Sequence, residues 1–232
     1  MTHPSATDAC DREAIHLVNA IQPHAALLVV REPELEILQA SANTRDFLGF
    51  APAELTGSRL ANRLAPELTL SLQNVLADDA LQDGLVHVLR MEPPRPDLRP
   101  LHLFANRIDG LLLLEFERAG TVDATDCRGQ STLRRTIQRL QKTDSLPAFL
   151  AMAVEQVRKL SGFERVMAYR FDEDGSGEVV AESIEDGLES YLGLHYPASD
   201  IPAPARRLFA LSALRHLPDI DYAPVPDRKS VV

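Results

Sequence analysis

Two runs of alternating residues joined by an Asp-Gly pair constrain this chain more than any other feature. Residues 101–107 and 111–117 place apolar side chains at every second position, the period of a strand with one buried face. Ile108-Asp109-Gly110 separates them, and Asp-Gly accepts the positive φ angles of a two-residue hairpin turn. A lone hairpin is marginal in water, so its apolar face has to be extended by more strands or covered by helices.

Both are on offer upstream. Residues 25–30 read as a buried strand, and a turn around Glu32-Pro33-Glu34 leads to a partner over 35–40. Helices are predicted over 43–48, 52–55 and 66–76, the last with Leu68, Leu72, Val75 and Leu76 at helical spacing. A further strand follows over 85–91. This order is that of a small α+β sensor-type sheet. Residues 118–129 are polar and read as a linker. After it, Leu133, Ile137 and Leu140 recur at helical spacing, with Ser131 or Thr132 as N-cap. A second amphipathic helix over 146–160 puts Leu150, Val154, Val157 and Leu160 on one face and stops at Ser161-Gly162. Strands over 165–171 and from 178 enclose a turn at 172–177. Residues 227–232 read as a polar stub rather than part of a core element.

The chain has 34 acidic against 24 basic residues in 232, a net charge of −10. That field repels phosphate backbones and argues against nucleic-acid binding. Its two cysteines, Cys10 and Cys127, are far apart, as expected for a reducing cytosol rather than a disulfide scaffold. Residues 1–12 lack a secretory pattern, and the longest apolar runs, 25–30 and 111–114, are far short of the ~18 residues of a membrane span. A cytoplasmic chain with no membrane partner is the expectation. The seven histidines are scattered and Cys127 has no ligand-spaced companion, so no metal site is expected.

Few residues suggest chemistry. Cys10 is either a spare thiol in a polar arm or a nucleophile; His16 and His24 qualify as its base by residue type only. In Tyr196-Pro197-Ala198-Ser199-Asp200-Ile201-Pro202 two prolines fix the backbone around Asp200, and Ser199 or Asp200 can also cap a helix over 203–214. Arg206, Arg207 and Arg215 form a local positive cluster, with Arg207 and Arg215 on one helical face, suited to an anion or simply solvated. Met167, Tyr169 and Phe171 line one strand face, as core or as a ligand wall.

Together these segments resemble the photosensory region of bacterial phytochromes, bilin-binding red-light receptors. The resemblance rests on Cys10 in Ala-Cys-Asp-Arg-Glu, Ile15-His16, Ile21-Gln22-Pro23-His24, the run from Gly162 to Phe171, the run from Gly177 to Glu182, and above all Pro197-Ala198-Ser199-Asp200-Ile201-Pro202 with Ala205-Arg206. It implies an α+β architecture of a PAS domain followed by an incomplete GAF domain, each an antiparallel sheet with flanking helices. The implied boundaries are an N-terminal arm over 1–14, PAS over 15–118, a linker over 119–130 and partial GAF over 131–232. The implied cofactor is biliverdin, linked through a ring A vinyl thioether to Cys10. Around it the resemblance implies Met167, Tyr169, Tyr196, Asp200, Ile201 and Pro202, with Phe209 where a tyrosine is usual and Arg215 on a propionate. It implies a non-enzymatic light sensor that isomerises its bilin and signals to an absent output domain, such as a kinase or response regulator, with a homodimer as a further partner state.

Besides Phe209, the sequence departs from the family pattern in three further places. Leu17-Val18-Asn19 replaces Ile-Pro-Gly, Ala25 replaces a Gly, and Pro204 replaces a polar residue. Replacing glycines predicts a locally different backbone. The expected GAF continuation after Pro226 is not matched, so the chain reads as truncated within that domain. Two other readings are an interaction module with a folded PAS domain and no photocycle, and a thiol enzyme using Cys10.

Overall fold

The computed structural model describes residues 19–64, 66–76, 81, 84–92, 96–120, 127–211 and 214–229. They fall into two compact units: His16–Asp123 with Ser212–Val232, and Ala124–Leu211. In chain order the elements begin with β1 (Ala20–Ile21), β2 (Ala25–Arg31), β3 (Glu36–Ser41), α1 (Thr44–Leu48), α2 (Pro52–Leu55), a 3-10 turn (Leu60–Asn62) and α3 (Pro66–Leu76). They continue with β4 (Val86–Met91), β5 (Leu101–Ile108), β6 (Leu111–Arg118), α4 (Cys127–Leu140), α5 (Leu146–Ser161), β7 (Arg165–Phe171), β8 (Gly177–Ile184), β9 (His195–Tyr196), α6 (Ala203–Leu211) and β10 (Val225–Lys229).

The first unit is built on the hairpin. Asp109 and Gly110 both take positive φ, 50° and 75°, and the ladder closes from Ile108 opposite Leu111 to Leu101 opposite Arg118. The alternation then decides the core. Leu101, Leu103 and Ala105 on β5 and Leu112, Leu114 and Phe116 on β6 turn inward, meeting Ala26, Leu28 and Val30 from β2. Phe47, Leu48, Leu55, Leu68 and Leu72, from the three helices, close this face. Each short helix has local support: Gly49 ends α1 in the left-handed region, and the Ala51 amide donates to Glu54 Oε2 (2.7 Å) at the Pro-led start of α2. A polar knot beside this core is cross-linked. Leu27 N donates to Ser41 Oγ (2.9 Å), Ser41 donates to Asn43 Oδ1 (2.6 Å), and Asn43 donates to Ala25 O (2.8 Å).

Three expectations need correction. The sheet has seven strands, ordered β1-β10-β3-β2-β6-β5-β4, and β10 lies between β1 and β3. The supposed stub from Asp227 thus enters the ladder, with Asp227 opposite Ser41, because strand pairing is a main-chain interaction that polar residues can make. The Gln39 amide donates to the Asp227 carboxylate, and Pro226 O accepts from Ala42 N (2.8 Å). Secondly, Ala25 needs no glycine: it lies in extended strand opposite Glu117. Asn19, at the other missing glycine, does take φ 50°, a conformation asparagine tolerates better than most residues. Thirdly, α4 starts at Cys127, inside the expected linker, so Ser131 and Thr132 are interior helix residues and neither is the N-cap.

In the second unit α4 and α5 are joined by a buried Thr136–Gln156 hydrogen bond (3.3 Å), and α5 lies on β7 and β8. Ser145 caps α5 by accepting from Ala148 N, and Gly162 ends it at φ 73°. The three-stranded sheet is ordered β7-β8-β9. Val154, Val179 and Ala181 are its buried apolar residues, whereas Val157 and Leu160 of the predicted α5 face are 49% and 53% exposed. The face is there in the sequence, but among the described residues it is only partly covered.

Glu182 on β8 holds this unit's long 184–195 connection. Its side chain is 3% exposed and pairs with Arg165; it also accepts from Ser190 Oγ (2.7 Å) and Tyr191 N (3.0 Å), while the Arg165 guanidinium lies 3.7 Å from the Tyr191 ring centre. Desolvation pushes the carboxyl up, but the bonds from Ser190, Tyr191 and Arg165 outweigh it, so its pKa lies below the ordinary value. A depressed carboxyl stabilises the fold above the unfolded-state pKa and loses that contribution as pH falls through the folded-state value. Glu182→Gln is therefore expected to cost about 1–3 kcal/mol at pH 7. The gap from the native chain should shrink in acid. Urea unfolding followed by amide exchange in β7 and β8 at both pH values checks it, and equal gaps would refute the ion-pair account.

Candidate functional site

The chemistry-bearing residues of the second unit converge where β7, β9 and the loop leading to α6 meet. Strand alternation along β7 sends Tyr169 over the sheet, and β9 pairs Tyr196 with Gly177 of the central strand. The two phenol rings, on opposite outer strands, approach to 6.1 Å between centres and are tilted by 46°; Phe171 meets Tyr169 edge-on at 5.0 Å. What lets Tyr169 lie there is Gly177. A Cβ on Gly177 would stand 2.5 Å from Tyr169 Cε1 and 2.5 Å from Arg170 O. The β7–β8 ladder also slips between Ala168 and Tyr169, leaving Val180 unmatched, a bulge of the kind that re-aims side chains beside sites.

The Asp200 loop is braced from one side chain. Arg206, in the first turns of α6, donates through Nη1 to Ala198 O (3.0 Å) and to Ile201 O. Its guanidinium packs against the β7–β8 turn at Gly175, where an added Cβ would lie 2.8 Å from Nη2. Asp200 N closes a turn onto Pro197 O (3.1 Å), and Ser199 Oγ donates to Asp200 Oδ1 (3.4 Å). Asp200 itself is exposed. Burial raises the Tyr169 pKa, Asp200, Tyr196 and Asp172 raise it further, and Arg206 opposes them, so the phenol stays protonated and able to donate.

The structure therefore brings together Tyr169, Tyr196, Asp200, Ile201 and Pro202. Met167 and Phe209 belong to the same unit and are 43% and 47% exposed. Arg215 lies in the Ser212–Val232 segment, which groups with the other unit. Leu214 and Arg215 are not helical, so the predicted helix to 214 and the shared Arg207–Arg215 helical face are overturned; Pro218 disfavours a helical residue before it. Arg206 binds loop carbonyls instead of offering itself to an anion. Cys10 and His16 lie outside the described residues. His24 sits 3.7 Å from Glu117 and edge-on to His216, and burial lowers its pKa despite Glu117. Sequence reasoning missed Gly175, Gly177 and the bracing role of Arg206; the two glycines appear in the sequence only as turn markers. Among the described residues no group of three metal-ligating side chains forms.

The sequence profile described as PAS fold matches residues 10–119. Cyanobacterial phytochrome B of Nostoc sp. is 39% identical over 94% of this chain, and a bacteriophytochrome of Pseudomonas aeruginosa is 37% identical over 93%. This chain spans 29% of the length of each. The solved wild-type chromophore-binding domain of a Stigmatella aurantiaca phytochrome is 37% identical, superposes with a TM-score of 0.80, and shares 95% of this chain and 73% of its own. With 37% of residues identical over 95% of this chain and 73% of that domain, the chain belongs to the phytochrome family of photoreceptors.

Proposed function

We propose that the chain is a red/far-red photosensory module that carries biliverdin, with an arm over 1–14, a PAS domain over 15–118 and a bilin-holding GAF part that begins with α4 at Cys127 and runs to Leu211. The observation that carries this reading is the pair of tilted phenol rings of Tyr169 and Tyr196 beside the braced Asp200 loop. A flat conjugated tetrapyrrole fits such a setting: aromatic faces pack on its rings, Gly177 keeps the floor between the tyrosines free of a side chain, and Asp200 supplies acceptors for pyrrole N–H groups. Met167, Ile201, Pro202 and Phe209 add apolar surface. When bound, the bilin supplies light absorption and double-bond isomerisation.

The protein's part is attachment, orientation and protons. Cys10 would supply the thiol for a thioether to the ring A vinyl group of the bilin. Tyr169, protonated, donates from its hydroxyl, and the Asp200 backbone carbonyl and carboxylate accept. The chain itself is read as a sensor without enzymatic activity, acting in the cytoplasm as a homodimer and passing its signal to a kinase or response-regulator output. Among the described residues no helix is long and apolar enough to cross a membrane.

Mixing the protein with biliverdin is expected to give a red-absorbing species that survives denaturing electrophoresis as a zinc-fluorescent band. Cys10→Ala is expected to remove that band completely while the non-covalent absorption remains. A fluorescent band retained by Cys10→Ala would overturn the attachment, and the absence of any biliverdin absorption with the native chain would overturn the reading as a whole.

A further inference from the structure

We infer that Arg206 is a positioning residue that sets the peptide planes on either side of Asp200, an inference that rests on the bilin-binding reading for its function but not for its structural content. The Asp200 loop spans only the residues between Pro197 and Pro202, and each proline lacks an amide hydrogen, so ladder bonds from those positions are impossible. Such a loop needs side-chain donors for its carbonyls. Arg206 provides them twice over, donating to Ala198 O at 3.0 Å and also to Ile201 O. These two carbonyls flank Asp200, one on each side.

The guanidinium is itself fixed. Its backbone amide bonds Pro202 O (3.1 Å), which starts α6 from the same loop. Its planar head packs on Gly175, whose φ of 85° and missing Cβ leave the room it occupies; Ala198 Cβ borders the same space at 3.4 Å. Gly175 in turn is held by its amide to Asp172 O (3.0 Å) in the β7–β8 turn. Hence the hairpin that carries Tyr169, the loop that carries Asp200 and the helix that carries Phe209 are joined through one side chain. Lysine would not replace it. A point ammonium can reach one carbonyl, but it has no planar fork to span two and pack flat on a glycine.

The test compares Arg206→Ala and Arg206→Lys with the native chain, first without any bilin. Amide exchange at Asp200, protected by its bond to Pro197 O, is expected to quicken about tenfold or more in both variants, while β5 and β6 amides keep their native rates. With biliverdin added, both variants are expected to form the Cys10 band but with a broadened, shifted red absorption and reduced photoconversion. Native exchange at Asp200 together with a native spectrum in either folded variant would overturn the inference. If Arg206→Ala does not fold, Arg206→Lys decides by the same two readouts. Failure of the bilin reading is separable: the native chain would then show no biliverdin absorption, and the exchange at Asp200 would still quicken in the variants.

Discussion

Phe116→Ala is expected to destabilise the first unit by about 3–5 kcal/mol. Phe116 lies near the middle of the unit's antiparallel ladder, opposite Ala26 on β2 and Leu103 on β5, and is fully buried. Its neighbours on both strands are themselves fully buried, so the hole left by the ring cannot be filled by solvent-facing groups swinging in. The loss of apolar burial and the residual cavity therefore add. Against a typical domain stability of about 5–15 kcal/mol, this removes about a fifth or more of what holds the unit together. With a urea slope of about 1–3 kcal/mol per molar, the unfolding midpoint should drop by roughly 2 M. Leu70→Ala on α3 is the control: Leu70 is 62% exposed, and such a change is expected to stay within about 0.5 kcal/mol. A Phe116→Ala midpoint as close to native as that of Leu70→Ala would show that the core is not organised around β6.

How much of this was legible in the sequence depends on the range of the interaction. The hairpin of β5 and β6 could be read directly, because alternation and Asp109-Gly110 are local signals and the structure uses both. So could α5, with Ser145 before it and Gly162 after it, although Ser145 as its cap emerges only from the backbone. The strand β10 was not legible. Val225-Pro226-Asp227-Arg228-Lys229 is charged and contains a proline, and its place between β1 and β3 is set by main-chain bonds to residues almost two hundred positions away. The start of α4 was illegible for the opposite reason: Cys127-Arg128-Gly129 has the composition of a linker, yet the backbone is already helical there, since local preference is only a weak guide. At the site, the bracketing prolines pointed to Asp200 and strand alternation to Tyr169, but only the family's motifs suggested a bilin for them and for Tyr196. Periodicity placed Arg206 on a helix but said nothing of its turning back to the loop that precedes it.

Gly177→Ala is expected to have the largest effect on the site. A glycine can matter for its φ or for its missing side chain, and here the two separate cleanly. Gly177 does not take a left-handed φ; its requirement is space, since a Cβ would meet Arg170 O at 2.5 Å, Tyr169 Cε1 at 2.5 Å and Tyr169 Cζ at 2.7 Å. The tyrosine ring can rotate away, but the Arg170 carbonyl is main chain and moves only if β7 separates from β8. Gly177 also pairs with Tyr196, so the shift reaches β9 and the second ring. Overpacking of this kind costs about 1–3 kcal/mol. The near-ultraviolet circular dichroism of the tyrosines should change, amides of β7 should exchange faster, and the red absorption given by biliverdin should fall. Gly187→Ala supplies the contrast, because Gly187 has φ 94° with nothing within 4 Å of an added Cβ, so it carries backbone strain alone. That variant should lose stability without altering the tyrosine signal. If Gly177→Ala keeps the native tyrosine signal, the ring of Tyr169 does not rest on Gly177, and the floor assigned to the site is wrong.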